Sequence, residues 1–263
     1  MRELSLYVVD AFAARLFGGN PAAVCPLAQW LPDALMQAIA TENNLSETAF
    51  FVPDAEPRRL RWFTPRAEVD FCGHATLASA HVFFQYLDRT AREVSFHTKV
   101  GPLHLTRHAR GIEMRAPAFP PSACPQPPDI IRRHLPAGGA EVLECRDNYF
   151  LVLGNEGEVR DFRPDFTQLE RLPFGLCITA RGDEVDFVSR YFVPSYGIPE
   201  DPATGSTHAT LAPLWADRLG RRELRARQLS RRGGELWCRL EDNGVTIGGG
   251  TVTYLEGTVR IPE

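Results

Sequence analysis

Lysine is almost missing: the 29 basic residues are 28 arginines and Lys99. A phosphate-cradling loop needs Gly-Lys-Ser/Thr, and Lys99 stands in His97-Thr98-Lys99-Val100, so the chain has none. Pyridoxal-phosphate or Schiff-base catalysis would rest on that same residue, in a charged, strand-like stretch, and is disfavoured. The six cysteines (Cys25, Cys72, Cys124, Cys145, Cys177, Cys238) form no C-x-x-C pair, which argues against a structural zinc site or a thioredoxin-like centre. They are expected as free thiols. The seven histidines include no H-E-x-x-H and no cluster with carboxylates, so no metal and no cofactor is expected. No run of eighteen apolar residues is present, and the first ten residues lack a signal-peptide pattern. A net charge of −4 and a pI near 6.0 are wrong for a dedicated nucleic-acid binder. The expectation is a soluble, cytoplasmic protein without membrane or nucleic-acid partners.

The chain has 263 residues, enough for one large domain or two of about half that size. Short β-like runs dominate: Leu6–Val9, Thr48–Val52, Arg61–Phe63, Glu93–Phe96 and Leu103–Leu105. Two segments have helical spacing instead, Gly73–Leu87 and Ala203–Leu219. The first is apolar nearly all round, the signature of a helix enclosed by other structure. Prolines 117, 120, 121, 125, 127 and 128 crowd the midpoint, where they deny the backbone helix and central strand and read as a linker.

The halves echo each other. Arg61-Trp62-Phe63-Thr64-Pro65 is matched by Arg190-Tyr191-Phe192-Val193-Pro194, and an acidic pair follows in each half. His-Ala-Thr-Leu-Ala then occurs at His74–Ala78 and again at His208–Ala212. The pattern predicts a duplicated strand-loop-helix unit, with domains at 1–120 and 121–263 and the return of the last strand to the first domain left open. Two buried helices whose N-termini face one cleft would favour a carboxylate-bearing substrate.

Candidate chemistry lies in three stretches. In Ile198-Pro199-Glu200-Asp201-Pro202-Ala203-Thr204-Gly205-Ser206, Asp201 and Pro202 fit an N-cap and first helical position. Gly205 would let a ligand approach the backbone beside the Thr204 and Ser206 hydroxyls. At the matching place, Gly73 permits close approach and His74 is a candidate proton shuttle. Glu47, after the polar turn Glu42–Ser46, opens an apolar strand, where burial would raise its pKa into a useful acid/base range. Each has a plainer reading: a helix cap, a polar residue at a helix start, a glutamate at a strand start. The Phe17-Gly18-Gly19-Asn20-Pro21 turn is a backbone device first and a substrate contact second.

Taken together, Phe17–Val24, Asn44–Phe50, Cys72–Ala78 and Asp201–Ser206 resemble the PhzF-like family of phenazine-biosynthesis isomerases, which has the diaminopimelate epimerase-like fold. Gly248–Val252 and Glu256-Gly257 also suit it. The resemblance implies an α+β fold of two similar β-barrel-like domains, each wrapped around a central helix and related by pseudo-twofold duplication. It implies a cofactor-free proton-transfer isomerase that forms homodimers. Its catalytic residues would be Glu47, His74 and Asp201, and its substrate-binding residues Asn20, Ser46, Gly73, Thr204, Gly205 and Ser206. These residues are expected to converge on one inter-domain cavity. Where relatives have small residues after the serine, this chain has Thr207 and His208, so the substrate need not be the phenazine precursor.

The leading reading is an isomerase moving a proton between carbons of a small amino- or hydroxy-carboxylic acid, as with dihydro-3-hydroxyanthranilate. One alternative is an amino-acid racemase or epimerase of the same fold. Those enzymes use two facing thiols; Cys72 would be one, but Thr204-Gly205-Ser206 supplies no second. A Cys72/Asp201 or Glu47/Asp201 pair stays open. The other alternative is a non-catalytic small-molecule-binding relative.

Overall fold

In the computed structural model, which describes every residue except Asp147 and Glu263, the chain begins with β1 (Arg2–Ala11), β2 (Asn20–Pro26), α1 (Asp33–Asn43), β3 (Glu47–Phe51), β4 (Leu60–Phe63) and β5 (Glu68–Val69). It continues through α2 (Gly73–Val82), β6 (Glu93–Thr98), β7 (Gly101–His108), β8 (Gly111–Ala116), β9 (Ser122–Ala123), α3 (Asp129–Arg133), β10 (Glu141–Cys145) and β11 (Asn148–Val152). Then come α4 (Glu156–Asp161), α5 (Phe166–Leu169), β12 (Gly175–Arg181), β13 (Phe187–Val193), β14 (Ile198–Asp201), α6 (Gly205–Leu219), β15 (Glu223–Gln228), β16 (Gly234–Glu241), β17 (Gly244–Gly249) and β18 (Thr251–Ile261). Two compact units result: Met1–Arg115 with Gly248–Glu263, and Ala116–Ile247. The last strand, whose return to the first domain the sequence left open, does return: β18 pairs with β1 from Arg2↔Ile261 to Ala11↔Thr251.

The first unit holds a sheet in the order β18-β1-β2-β3-β4-β5, parallel only at β2–β3. Both faces of its centre are covered. On one side α1 packs Met36, Ile39 and Ala40 into a cluster with Ala23, Cys25, Phe50 and Phe63. On the other lies α2, against β1, β2 and β3, with all ten residues buried. This enclosure explains why α2 reads as apolar on every side. Its buried hydroxyls are satisfied within the helix: Thr76 Oγ1 donates to the Cys72 carbonyl at 2.6 Å and Ser79 Oγ to that of Ala75 at 2.7 Å. The meander β6-β7-β8 completes the unit, joined to the first sheet by a bridge between Arg59 and His97.

The second unit orders its strands β9-β10-β11-β12-β13-β15-β16-β17. One edge of β13 is shared: β15 pairs with Phe187–Ser189 and β14 with Tyr191–Val193. Helix α6 packs on β15 and β16 despite carrying Pro213. Proline there cannot donate to the Ala209 carbonyl, and the Phe119 amide, from the proline-rich segment, does so instead at 2.9 Å. The segment read as a linker is thus partly a patch on a helix.

No closed barrel is detected where barrel-like sheets were expected. Among the described residues the strands form open sheets; in the first unit the edges are β18 and β5, and β5 has only two residues, too short to close a ring. The His-Ala-Thr-Leu-Ala echo is also out of step. α2 and α6 both open on glycine, but His74 is the second residue of its helix and His208 the fourth.

His81 and His208 are buried, and burial pushes each down to about 4. An unfolded histidine titrates near 6.5, so between those values the unfolded chain binds more protons and stability rises with pH. The contribution is complete above about pH 6.5 and is lost as pH falls toward 4. We expect a loss of about 2 kcal/mol per histidine by pH 4.5, seen as a falling Tm that is shallower in His208→Gln. Identical pH profiles for the variant and the parent protein would refute this for His208.

Candidate active site

Strand parity places the first group of residues. Along β2, Ala23 and Cys25 belong to the α1-side cluster, so Asn20, Ala22 and Val24 face α2. Along β3, Phe50 faces α1, so Glu47, Ala49 and Phe51 face α2. The strands are parallel with Ala22 opposite Glu47, which sets Asn20 and Glu47 at the same end of the sheet, where α2 begins. Two turns make these starts possible. Asn44 ends α1 in the left-handed conformation at φ 49°, its amide returning to the Ala40 carbonyl. Before β2, Gly19 has φ +61°, and a Cβ there would lie 2.1 Å from the Ala11 carbonyl oxygen.

The outcome is a buried polar cluster. Glu47 Oε2 lies 3.1 Å from His74 Nε2, with the glutamate side chain 12% exposed and the histidine 8%. On the other side of the imidazole, Nδ1 is 3.3 Å from Asn20 Nδ2 and 3.5 Å from Cys72 Sγ. Burial alone would raise Glu47, as the sequence suggested; the His74 charge and hydrogen bonds from His74 and Cys72 reverse this and hold it below the usual carboxylate range. For His74, burial acts to lower the pKa, but Cys72 and Glu47 outweigh it and raise the imidazole well above its usual value. Both shifts favour the carboxylate–imidazolium form of the pair. Cys72 is pushed up to about 11, chiefly by burial and then by the Glu47 charge, so it rests as a thiol.

In the second unit the structure corrects the helix start. Asp201 pairs with Tyr191 as the end of β14, so its backbone belongs to the sheet, and the N-cap of α6 is Thr204. The Asp201 carboxylate accepts a hydrogen bond from the Thr204 hydroxyl. Gln228 fixes this loop: its Nε2 donates to the Asp201 carbonyl at 2.8 Å, and its Oε1 accepts from the Thr204 amide at 2.9 Å. Asp201, Thr204, Gly205 and Gln228 are buried, whereas Ser206 is exposed. His208 donates from Nδ1 to the Thr204 carbonyl at 2.8 Å and belongs to the core.

Arginine forks brace both loops. Arg61 grips Glu68 in a bidentate pair at 2.8 and 2.9 Å, and Arg190 grips Glu200 at 2.7 and 3.1 Å. Lys99 bonds Asp70 and Glu68, which raise its pKa, the reverse of what a Schiff-base lysine needs.

The structure thus brings Asn20, Glu47, Gly73 and His74 together in the first unit, with half-buried Ser46 adjoining Glu47, and Asp201, Thr204, Gly205 and Ser206 together in the second. One partner had escaped notice, and Cys72 had been weighed only as a racemase thiol. Gln228 lies on the inward parity of β15 with Leu224 and Ala226, so a period-two reading of Glu223–Gln228 exposes a buried polar residue. Cys72 joins Glu47 and His74 in a set whose donor atoms all lie within 4.8 Å of one another.

The sequence signature of the family described as phenazine biosynthesis-like protein (PhzC-PhzF) matches residues 9–257. The chain belongs to this family. An uncharacterized isomerase of Pseudomonas aeruginosa is 47% identical over 260 residues, covering 98% of this chain and 99% of the relative. The crystal structure of an Enterococcus faecalis phenazine biosynthesis protein of the PhzF family has TM-score 0.93 and 43% identity, covering 99% of this chain and 100% of that one. A hydroxyproline epimerase from Agrobacterium vitis, at 12% identity and TM-score 0.62 over 98% of this chain and 91% of its own, shares the fold. The phenazine biosynthesis-like chain is an isomerase of this α+β class. Among its described residues no helix is long and apolar enough to cross a membrane.

Proposed function

We propose that the protein is a cofactor-independent isomerase acting on a small amino- or hydroxy-carboxylic acid, as a cytoplasmic homodimer, with Glu47 as the acid/base. Dihydro-3-hydroxyanthranilate is the family's reference substrate and sets the class rather than the compound. The observation that carries the reading is the largely buried Glu47–His74 pair at 3.1 Å. An ionised carboxylate can take a proton from carbon, and the neighbouring imidazolium balances charge as it moves. Glu47 then returns the proton to a second carbon, so substrate and product have equal composition. Asp201 orients the amino or hydroxyl group. The amides near Gly73 and Gly205, with Ser206, hold the carboxylate and favour developing negative charge, and Asn20, Ser46 and Thr204 are further substrate-binding residues.

The matched arginine forks and the two buried helices opening on glycine support descent of both units from one duplicated ancestor. Two-thiol racemase chemistry is not supported: the start of α6 carries Thr204-Gly205-Ser206, and Cys177 and Cys238 are buried thiols raised by that burial. The test is solvent exchange. A panel of amino- and hydroxy-acids is incubated with the protein in D₂O and examined by NMR. Deuterium at one carbon of an acid identifies the reaction class; binding of an acid without deuterium uptake would make the protein a non-catalytic relative.

A further inference from the structure

We propose that Gln228 is a positioning residue for Asp201. By donating to the Thr204 hydroxyl, it turns the single proton of that hydroxyl onto the Asp201 carboxylate and keeps the carboxylate a hydrogen-bond acceptor. The link from this relay to turnover rests on the role given to Asp201 above; the relay itself does not.

The backbone fixes the orientation of the Gln228 amide. The Thr204 amide can only donate and the Asp201 carbonyl can only accept, so Oε1 must face the first, at 2.9 Å, and Nε2 the second, at 2.8 Å. A flipped amide would set donor against donor and acceptor against acceptor. Nε2 has a second proton to give, and it lies 3.2 Å from Thr204 Oγ1. An amide nitrogen does not accept, so the hydroxyl oxygen must receive this bond. The hydroxyl keeps one proton of its own, and that proton goes to Asp201 Oδ2. The relay therefore runs one way, from amide to hydroxyl to carboxylate. A hydrogen bond given to the charged form of a carboxyl group favours that form over the acid.

Burial gives these bonds their weight. Asp201, Thr204 and Gln228 are 8%, 7% and 0% exposed, and bonds in so little water are strong when made and costly when left unmade. Gln228 ends β15 between Ser189 of β13 and Gly234 of β16, which fixes its backbone on both sides. The Thr204 carbonyl is held as well, accepting from Thr207 Oγ1 at 3.0 Å and His208 Nδ1 at 2.8 Å. Threonine is β-branched, so its hydroxyl has a stiff χ1. The titratable neighbours of Asp201 include Glu200 in its Arg190 fork, Tyr191 across the β13–β14 pair, and His208 behind Thr204. All of them stay in place in the variants below. In the reading above, Asp201 then serves as acceptor for the substrate's amino or hydroxyl proton and not as a second acid.

Carbon-13 NMR of substrate-free protein labelled at the aspartate carboxyl carbons reads the relay directly; the Asp201 signal is the one lost in Asp201→Asn. In Thr204→Val, which keeps the side chain's shape without its hydroxyl, the midpoint of that signal should rise by about one pH unit, the worth of one hydrogen bond to a charged group. Thr204→Ser should restore the parent midpoint. Gln228→Met should raise the midpoint too, and should add nothing in the Thr204→Val background, because its effect passes through the hydroxyl. An equal rise in both backgrounds would make Gln228 a merely structural residue and overturn the proposal. So would an unchanged midpoint in Thr204→Val, a result that stands even where Gln228→Met does not fold. In the exchange assay below both midpoints, Thr204→Ser should match the parent protein and Gln228→Met should be about tenfold slower, in step with the lost carboxylate. A shifted midpoint with an unchanged rate would leave the relay in place and remove Asp201 from the proposed reaction.

Discussion

Glu47→Gln is expected to fold normally and to lose deuterium exchange by about 10²–10⁴-fold, the usual cost of removing a general base. The substitution keeps the side chain's shape and removes only its charge and its capacity to hold a proton. The fold should survive because Glu47 is the first residue of β3 and the apolar run behind it (Ala49, Phe50 and Phe51) is fully buried. Removing the carboxylate also takes from His74 one of the two partners that raise its pKa. The imidazole should then titrate nearer its ordinary value, which NMR can follow. Wild-type exchange by Glu47→Gln, measured on the same acid, would take Glu47 out of the mechanism.

The largest stability effect is expected at Phe192. It is completely buried in the second unit's core, its ring 5.8 Å from that of Phe162 and 6.2 Å from that of Phe166. The Arg190 guanidinium lies 4.9 Å from the same ring while its fork holds Glu200, next to Asp201. Phe192→Ala should cost about 3–5 kcal/mol through lost burial and the cavity left behind. Urea titration should show a lower midpoint with an unchanged slope. A loss below about 1 kcal/mol would mean that the surrounding rings collapse into the space. Phe192→Leu should recover most of the stability.

Local signals were legible and long-range ones were not. The near-continuous apolar and small residues of Gly73–Leu87 told of enclosure because that pattern depends on one segment alone. The Arg61 and Arg190 echo was read as repetition; its physical content, a fork closing on a carboxylate in each unit, appears only once β5 and β14 are paired. Asp201 was taken for a cap because capping is the commonest local use of Asp before Pro, and a strand partner overrode it. In the Glu47–Cys72–His74 cluster only Cys72 and His74 are neighbours in sequence, and nothing in the spacing ties Glu47 to them. Glu47 meets the other two through the seating of α2 against β3, a contact between segments more than twenty residues apart. Burial was likewise visible in sequence, but the direction of the Glu47 shift was not, since a charged neighbour decides it.

The pairing of β18 with β1 has a consequence for how the protein is made. Synthesis is vectorial, and the first unit's opening strand leaves the ribosome well before its partner exists. Residues 116–247 are finished while residues 248–263 are still to be translated, so the unit encoded second can be the first to complete its fold. Until β18 is made, β1 presents a ten-residue edge with unpaired backbone groups, the kind of surface on which chains associate wrongly. That edge of the first unit is thus exposed to aggregation and to chaperones in the interval between the synthesis of β1 and that of β18.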